Sequence, residues 1–136
     1  MGERQVRHLF VYGTLRRNSG HERAKWLGTV AKFKSAARRA GRLVDLGDYP
    51  GLLPPTNALQ YVRGDLWELP EDGALLEALD RYEGCHADDP DPHEYRRILC
   101  TATDGQGVRI PCWAYLFQWP AKHRRLIPDG DWLCRD

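Results

Sequence analysis

One carboxylate in the sequence is placed for acid-base chemistry. Glu83 lies in the run LDRYEG, residues 79–84, at the end of a predicted helix that Gly84 terminates. The C-terminus of a helix carries partial negative charge, so a carboxyl group there, above all a buried one, has a raised pKa that suits general acid-base catalysis. The alternative is structural: Glu83 forms an ion pair with an arginine such as Arg96 or Arg97.

A second candidate feature is the run LFVYGTLRR, residues 9–17. Its β-branched and aromatic residues predict a buried strand that ends at Tyr12-Gly13-Thr14. Glycine allows a tight turn with backbone N–H groups free of a neighbouring Cβ. By itself the run is equally compatible with a plain strand-to-turn connection and with a turn that holds a ligand.

Several common chemistries are not expected. Ser19 and Ser35 lie in polar surroundings without a nucleophile elbow, which argues against a serine hydrolase. No glycine-rich phosphate loop is present, and the five histidines lack metal-ligand spacing. The four cysteines show no zinc-ligand spacing either; Cys100 and Cys112 could face each other across a hairpin, with free thiols favoured over a disulfide. We therefore expect no metal and no cofactor.

Length and charge limit the class of protein. The 136 residues predict a single domain over 1–136, and the net charge of +1 predicts neither nucleic-acid nor membrane-surface binding. No signal peptide is expected, and no segment has the roughly 20 apolar residues that a membrane span needs. A cytoplasmic protein with reduced thiols is the simplest interpretation. The basic stretch 32–42 could contact phosphate, but a solvated strand face is favoured.

The elements that must position these residues follow from the pattern of apolar residues. We expect a strand over 6–12, a short helix capped by 18–20 and ended by Gly28, and a strand over 61–69. Leu66 and Trp67 of that last strand should lie on opposite faces, which leaves room for one of them to pack elsewhere. A second helix opens at 70–72, followed by an exposed acidic loop, ADDPDPHE. A β-hairpin with the turn DGQG comes next. This order differs from βαβ repeats, so we predict an α+β fold with an antiparallel or mixed sheet curled into a barrel.

Five segments together resemble the gamma-glutamylcyclotransferase-like family, in particular its gamma-glutamylamine cyclotransferase branch. The segments occur in the family's order along nearly the whole chain: YGTL at 12–15, GDYPGL at 47–52, LDRYEG at 79–84, YRR at 95–97 and GDW at 130–132. The resemblance implies a small β-barrel with flanking helices and a central cavity. It also implies a γ-glutamyl compound as the small-molecule substrate.

The resemblance further implies roles for individual residues. Glu83 matches the family's acid-base residue, and Tyr12, Gly13, Thr14 and Leu15 match its substrate-holding turn. Tyr49 and Tyr115 match tyrosines of the site. In the family's reaction the substrate's α-amine attacks its own γ-carbonyl, which gives 5-oxoproline and releases an amine or an amino acid.

The residue types are consistent with such a reaction. Intramolecular attack needs no protein nucleophile, and a single carboxylate can move the proton from the attacking amine to the leaving nitrogen. The acidic loop, residues 86–94, either favours a cationic leaving group or is merely solvated. The side chains of Arg16 and Arg17 should point to opposite sides of the chain, and which of the two points inward stays open.

The rival functions are a catalytically silent metabolite-binding module of the same fold and a protein-interaction domain that uses residues 32–42. Both a monomer and a homodimer remain open.

Overall fold

The computed structural model describes residues 6–134, which form eight strands and two α-helices. In chain order these are β1 (His8–Val11), α1 (Glu22–Val30), β2 (Lys32–Ala40), β3 (Arg42–Asp45), β4 (Pro50–Leu53), β5 (Tyr61–Glu68), α2 (Ala74–Tyr82), β6 (Tyr95–Asp104), β7 (Arg109–Phe117) and β8 (Arg125–Leu126). A turn of 3-10 helix, Trp132–Cys134, comes last.

Five of the strands close into a barrel. Their order is β1-β5-β2-β6-β7, and β7 returns to pair with β1. The pairs β1–β7 and β4–β7 are parallel, whereas the other pairs are antiparallel. Strands β4, β3 and β8 extend the sheet from β7. The predicted α+β fold, a small mixed barrel with flanking helices, is confirmed.

The core consists of two clusters because the central strands are covered on both faces. Leu66 and Trp67 are neighbours on β5 and point to opposite faces, and both are buried. Trp67 packs in the cluster that contains Leu27 of α1 and Leu79 of α2. Leu66 packs in the second cluster, to which neither α-helix contributes. The two residues thus lie on opposite faces, as the strand pattern predicts, and pack in different clusters.

The helices agree with the sequence pattern in number and order and differ from it at their ends. Helix α2 ends just before Gly84, as predicted, but it begins at Ala74 rather than at 70–72. The Asp72 carboxylate accepts a hydrogen bond from the Ala74 N–H at 3.0 Å. The prediction that α1 stops at Gly28 is wrong, since the helix continues to Val30. Leu27, the neighbour of Gly28, is buried in the same core cluster as Trp67, so packing against the barrel outweighs the weak helix propensity of Gly28. The cap of α1 is His21, whose Nδ1 accepts from the Arg23 N–H.

The predicted hairpin is formed by β6 and β7. Tyr95 lies opposite Phe117, and Cys100 lies opposite Cys112 with 3.8 Å between the two sulfur atoms. Both thiols are free. The basic stretch is mostly β2, where Lys32, Lys34 and Arg38 are exposed, as expected for a solvated strand face. No helix within residues 6–134 is long and apolar enough to cross a membrane.

Gly64 of β5 provides a test of the barrel packing. A Cβ on Gly64 would overlap the Val11 carbonyl oxygen and come within 2.7 Å of the Phe10 ring. We expect Gly64→Ala to lower the free energy of unfolding by about 3 kcal/mol, because strand backbone cannot move aside as a flexible side chain can. Denaturant unfolding monitored by tryptophan fluorescence measures this change.

The matched control is Gly28→Ala, at a helical glycine with space for a methyl group. This variant should be more stable than the wild type by about 0.5–1 kcal/mol, since alanine favours the helix. Equal stability of the two variants would contradict the packing described for β5.

Candidate active site

A cavity of about 330 Å³ lies where β1, the start of β4, the end of α2 and the start of β6 meet. All seven residues predicted for the site line it. Its lining residues are Phe10, Val11, Tyr12, Gly13, Thr14, Leu15, His21, Asp48, Tyr49, Pro50, Tyr82, Glu83, Gly84, Glu94, Tyr95 and Tyr115. Because such a concave, partly apolar cavity with a few converging polar groups is the usual form of a small-molecule site, it is the candidate active site.

The turn after β1 lines the cavity and carries backbone donors that have no protein partner within residues 6–134. The Gly13 carbonyl accepts from the Arg16 N–H at 3.0 Å, which closes the turn. Among the described residues, the N–H groups of Gly13, Thr14 and Leu15 donate to no other protein atom. A Cβ on Gly13 would lie 2.6 Å from the ring of Pro50, so only glycine fits here. Three successive amides are thus available to an anionic group in the cavity.

The buried carboxylate of Asp65 holds this turn in place through a hydrogen bond to its backbone. Asp65 of β5 is 6% exposed, and its Oδ2 accepts from the Arg17 N–H at 2.7 Å. The Arg16 guanidinium points inward, 2.8 Å from Asp131 and 3.8 Å from Asp65. Arg17 stacks over the Phe33 ring at 3.8 Å. Of the two side chains, Arg16 is therefore the one that points inward, and neither arginine lines the cavity.

Glu83 lies on the cavity wall immediately after the last residue of α2. Burial, with smaller contributions from the nearby Glu94 and Asp80, raises the pKa of Glu83 to about 8, and Arg23 opposes the rise. Within residues 6–134 the Glu83 carboxyl has no hydrogen bond or ion pair. Arg97, which the structural alternative paired with Glu83, instead donates to Asp80 at 2.9 and 3.2 Å. The ion-pair alternative is thus not what the structure contains.

Two tyrosines predicted to bind substrate use their hydroxyl groups within the protein. Tyr12 Oη donates to the Tyr115 carbonyl at 2.6 Å and accepts from the Leu52 N–H at 3.2 Å. Tyr115 Oη donates to Asp80 at 2.6 Å. Burial raises the pKa of both phenols. Their rings therefore form the wall of the cavity while their hydroxyls hold strands and helix together.

Tyr49 lies at the mouth of the cavity. It is 37% exposed, and its hydroxyl donates to Glu94 Oε2 at 2.6 Å. Burial and the bond to Glu94 raise the pKa of Tyr49 to about 12. This bond connects the segment before β4 to the end of the acidic loop.

Glu94 is the main site residue that sequence reasoning missed. It closes the acidic loop, most of which is exposed as predicted, yet Glu94 itself is partly buried beside Glu83. The one available signal was its position directly before β6, whose first residue, Tyr95, is buried. Tyr95, whose hydroxyl donates to the Pro50 carbonyl at 2.7 Å, lines the cavity as well.

No set of three or more histidine, cysteine, aspartate or glutamate side chains within residues 6–134 is grouped to hold a metal ion. The cavity lining offers instead two neighbouring acidic side chains, Glu83 and Glu94, and the three open amides. This arrangement can transfer a proton and hold an anionic oxygen.

The raised pKa of Glu83 predicts how stability depends on pH. Its pKa is about 8 in the folded protein against 4.5 for an ordinary glutamate, so its contribution is fully present below pH 4.5 and is lost as the pH rises through 8. Glu83→Gln removes this loss. We expect the variant to become progressively more stable than the wild type between pH 5 and pH 8.5, reaching on the order of 2 kcal/mol.

Urea unfolding at several pH values measures this difference. The matched control is Glu77→Gln, on the exposed face of the same helix, where the side chain is 60% exposed. A difference that stays constant with pH in Glu83→Gln, or that grows equally in the control, would contradict the burial described for Glu83.

A family model described as gamma-glutamyl cyclotransferase, AIG2-like, matches residues 9–134. The gamma-glutamylcyclotransferase family protein YtfP of Escherichia coli K12 is 32% identical over 130 residues, which cover 94% of this chain and 97% of YtfP. The gamma-L-glutamyl-butirosin B gamma-glutamyl cyclotransferase of Niallia circulans is 32% identical over 111 residues, covering 81% of this chain and 66% of that protein.

Solved structures show the same fold. The crystal structure of a mouse AIG2-like protein superimposes with a TM-score of 0.69 at 25% identity, covering 98% of this chain and 86% of the other. The solution structure of Escherichia coli YtfP gives a TM-score of 0.62 at 28% identity, covering 93% and 96%. The resemblance seen in the sequence is confirmed: this chain belongs to the gamma-glutamyl cyclotransferase, AIG2-like family, whose enzymes are of the cyclotransferase type.

Proposed function

We propose that this protein cyclises a γ-glutamyl amine or γ-glutamyl amino acid, releasing 5-oxoproline and the free amine. The observation that carries the proposal is the Glu83 carboxyl, which faces the cavity without an ion pair and has a pKa of about 8. A carboxyl with this pKa exchanges protons near neutral pH, as a general acid-base requires. Family membership supports the same reaction class.

In the proposed reaction the substrate supplies its own nucleophile. Glu83 takes a proton from the α-ammonium group, and the freed amine attacks the γ-carbonyl carbon. The new C–N bond closes a five-membered ring and converts the carbonyl oxygen to an oxyanion. Glu83 returns the proton to the leaving nitrogen, and the oxyanion re-forms the carbonyl as the bond from that nitrogen to the γ-carbon breaks. The ring nitrogen then gives up its second proton to ionised Glu83, which passes it to the released amine. Atoms balance without water or a cofactor, and the intramolecular step profits from proximity.

The open amides of Gly13, Thr14 and Leu15 are the proposed site for an anionic oxygen of the substrate, either the α-carboxylate or the oxyanion. Preorganised donors at such a position stabilise the transition state because they need no rearrangement when charge develops. Asp65 behind the turn supports them, since it fixes the Arg17 N–H at 2.7 Å. The hydroxyls of Tyr12 and Tyr115 are already engaged, so their part is to shape the wall.

Replacing Glu83 tests the central role. We expect Glu83→Gln to lower kcat by a factor of about 10²–10⁴, the usual contribution of general acid-base catalysis. In the wild type kcat/KM should rise as the pH increases through 8, because only ionised Glu83 can accept the proton. Release of 5-oxoproline from a panel of γ-glutamyl amines and dipeptides is the measurement.

Glu94→Gln is the matched control, since it removes the neighbouring carboxylate of the same cavity. This variant should keep turnover, and its kcat/KM profile should shift to lower pH because Glu94 raises the pKa of Glu83. Undiminished activity of Glu83→Gln would remove Glu83 from its role. Ligand-induced thermal stabilisation without any product would identify a binding module of the same fold instead.

The acidic lining supports a finer proposal about the leaving group. Asp48, Glu83 and Glu94 line the cavity, and no lysine or arginine does so among the described residues. A substrate whose leaving amine carries a positive charge gains attraction from these carboxylates, whereas an α-carboxylate on the leaving group is repelled. A γ-glutamyl amine is therefore the preferred substrate class over a γ-glutamyl amino acid.

Two matched substrates test this preference. A γ-glutamyl diamine with a free ammonium group should have a kcat/KM roughly fivefold above that of a γ-glutamyl alkylamine of equal length, which corresponds to about 1 kcal/mol for one charge pair. Added salt should reduce the ratio. Asp48→Asn should reduce it as well, and a ratio of one in the wild type would refute the preference.

A further inference from the structure

Arg23 lies on the first turn of α1, and its guanidinium is stacked between two aromatic rings. The guanidinium carbon is 4.5 Å from the centre of the Trp26 ring, on the same helix, and 4.3 Å from that of Tyr82. Tyr82 is the last residue of α2 and directly precedes Glu83. The stack therefore fixes a positive charge beside the turn that carries Glu83.

Arg23 differs from the other partly buried arginines in its lack of a polar partner. Arg16 and Arg97 are paired with carboxylates, at 2.8 Å from Asp131 and 2.9 Å from Asp80. Arg39 and Arg42 donate to backbone carbonyls. Within residues 6–134, the Arg23 guanidinium makes no ion pair or hydrogen bond, and its Nε is buried without a partner. Its charge is thus not neutralised locally by another side chain.

The charges around Glu83 show why an unpaired cation matters there. Burial raises the pKa of Glu83, and two carboxylates raise it further: Glu94 from the acidic loop and Asp80 from α2. Arg23 lowers it. Four phenols and one thiol are also near Glu83, and each has a raised pKa that keeps it uncharged at neutral pH: Tyr12, Tyr49, Tyr95, Tyr115 and Cys85. His21 and Asp48 are further titratable residues of the cavity wall.

We propose that Arg23 is the counter-charge of the Glu83 carboxylate, held by Trp26 and Tyr82 so that it stabilises the ionised form of Glu83 without forming a salt bridge to it. A direct salt bridge would keep Glu83 ionised and remove it from proton transfer. A cation stacked on the adjacent tyrosine assists ionisation more weakly and leaves the carboxyl free to take up and return a proton. Arg23 is therefore a positioning residue that acts through Glu83, and its catalytic part rests on the proposed cyclotransferase function.

The test measures the titration of Glu83 directly, by NMR of protein labelled with ¹³C at the glutamate carboxyl and assigned with Glu83→Gln. Arg23→Gln and Arg23→Met both remove the charge, and the methionine retains an apolar stem between the two rings. We expect either variant to raise the titration midpoint of Glu83 by about one pH unit, which is a tenfold loss of the ionised fraction near neutral pH. Arg23→Lys, which keeps the charge, should leave the midpoint near that of the wild type.

The matched control is Arg17→Gln, which removes a cation stacked at 3.8 Å over Phe33 but belongs to neither α1 nor the cavity wall. Its Glu83 midpoint should equal that of the wild type. An unchanged midpoint in a folded neutral variant of Arg23, or a shift as large in Arg23→Lys as in Arg23→Met, would overturn the proposal. If neither neutral variant folds, Tyr82→Leu releases one side of the stack, and an unchanged midpoint in that variant would overturn it equally.

The kinetic measurement separates this proposal from the reaction itself. In an active enzyme, the pH at which kcat/KM is half-maximal should move upward in Arg23→Met by the same amount as the NMR midpoint. Absence of turnover with every γ-glutamyl compound would refute the proposed function and leave the NMR result to decide the role of Arg23.

Discussion

The parallel pairing of β1 with β7 is the contact on which the position of the site depends. It closes the barrel at Leu9 and Trp113, so the end of β1 lies beside the residues of β7 that follow. Tyr12 thereby reaches the carbonyl of Tyr115, and the turn after it faces the C-terminal end of α2. Two segments separated by about 70 residues in sequence meet in one cavity because the barrel closes there.

Around this closure the protein uses its polar groups in two different ways. Asp65, Asp80 and the buried tyrosines are satisfied by short hydrogen bonds, and they hold the turn, the helix and the strands in place. The groups that face the cavity, Glu83 and the amides of the turn after β1, have no protein partner among the described residues. Unsatisfied groups of this kind reduce stability, and they persist because the satisfied network around them fixes their positions.

The fold class and part of the site could be predicted from the sequence because they depend on local patterns. Helical spacing and Gly84 placed Glu83 at the end of α2, and the strand pattern placed Tyr12 and Gly13 at a turn. That both belong to one site came from the resemblance of five segments to a family. The end of α1 was mispredicted at Gly28, because packing of the helix on the barrel is a tertiary effect that a local helix-stop signal does not contain.

The residues that tune Glu83 could not be predicted for a related reason. Glu94 belongs to a loop whose composition indicates exposure, and Arg23 belongs to a short, polar helix with ordinary surface composition. Their influence depends on three-dimensional distances between α1, α2 and the acidic loop, which no spacing in the sequence encodes. A raised pKa at a helix C-terminus follows from elementary electrostatics, but its value depends on burial first and then on charges from separate elements. Burial together with Glu94 and Asp80, opposed by Arg23, therefore places the pKa of Glu83 near the pH at which proton transfer in both directions is possible.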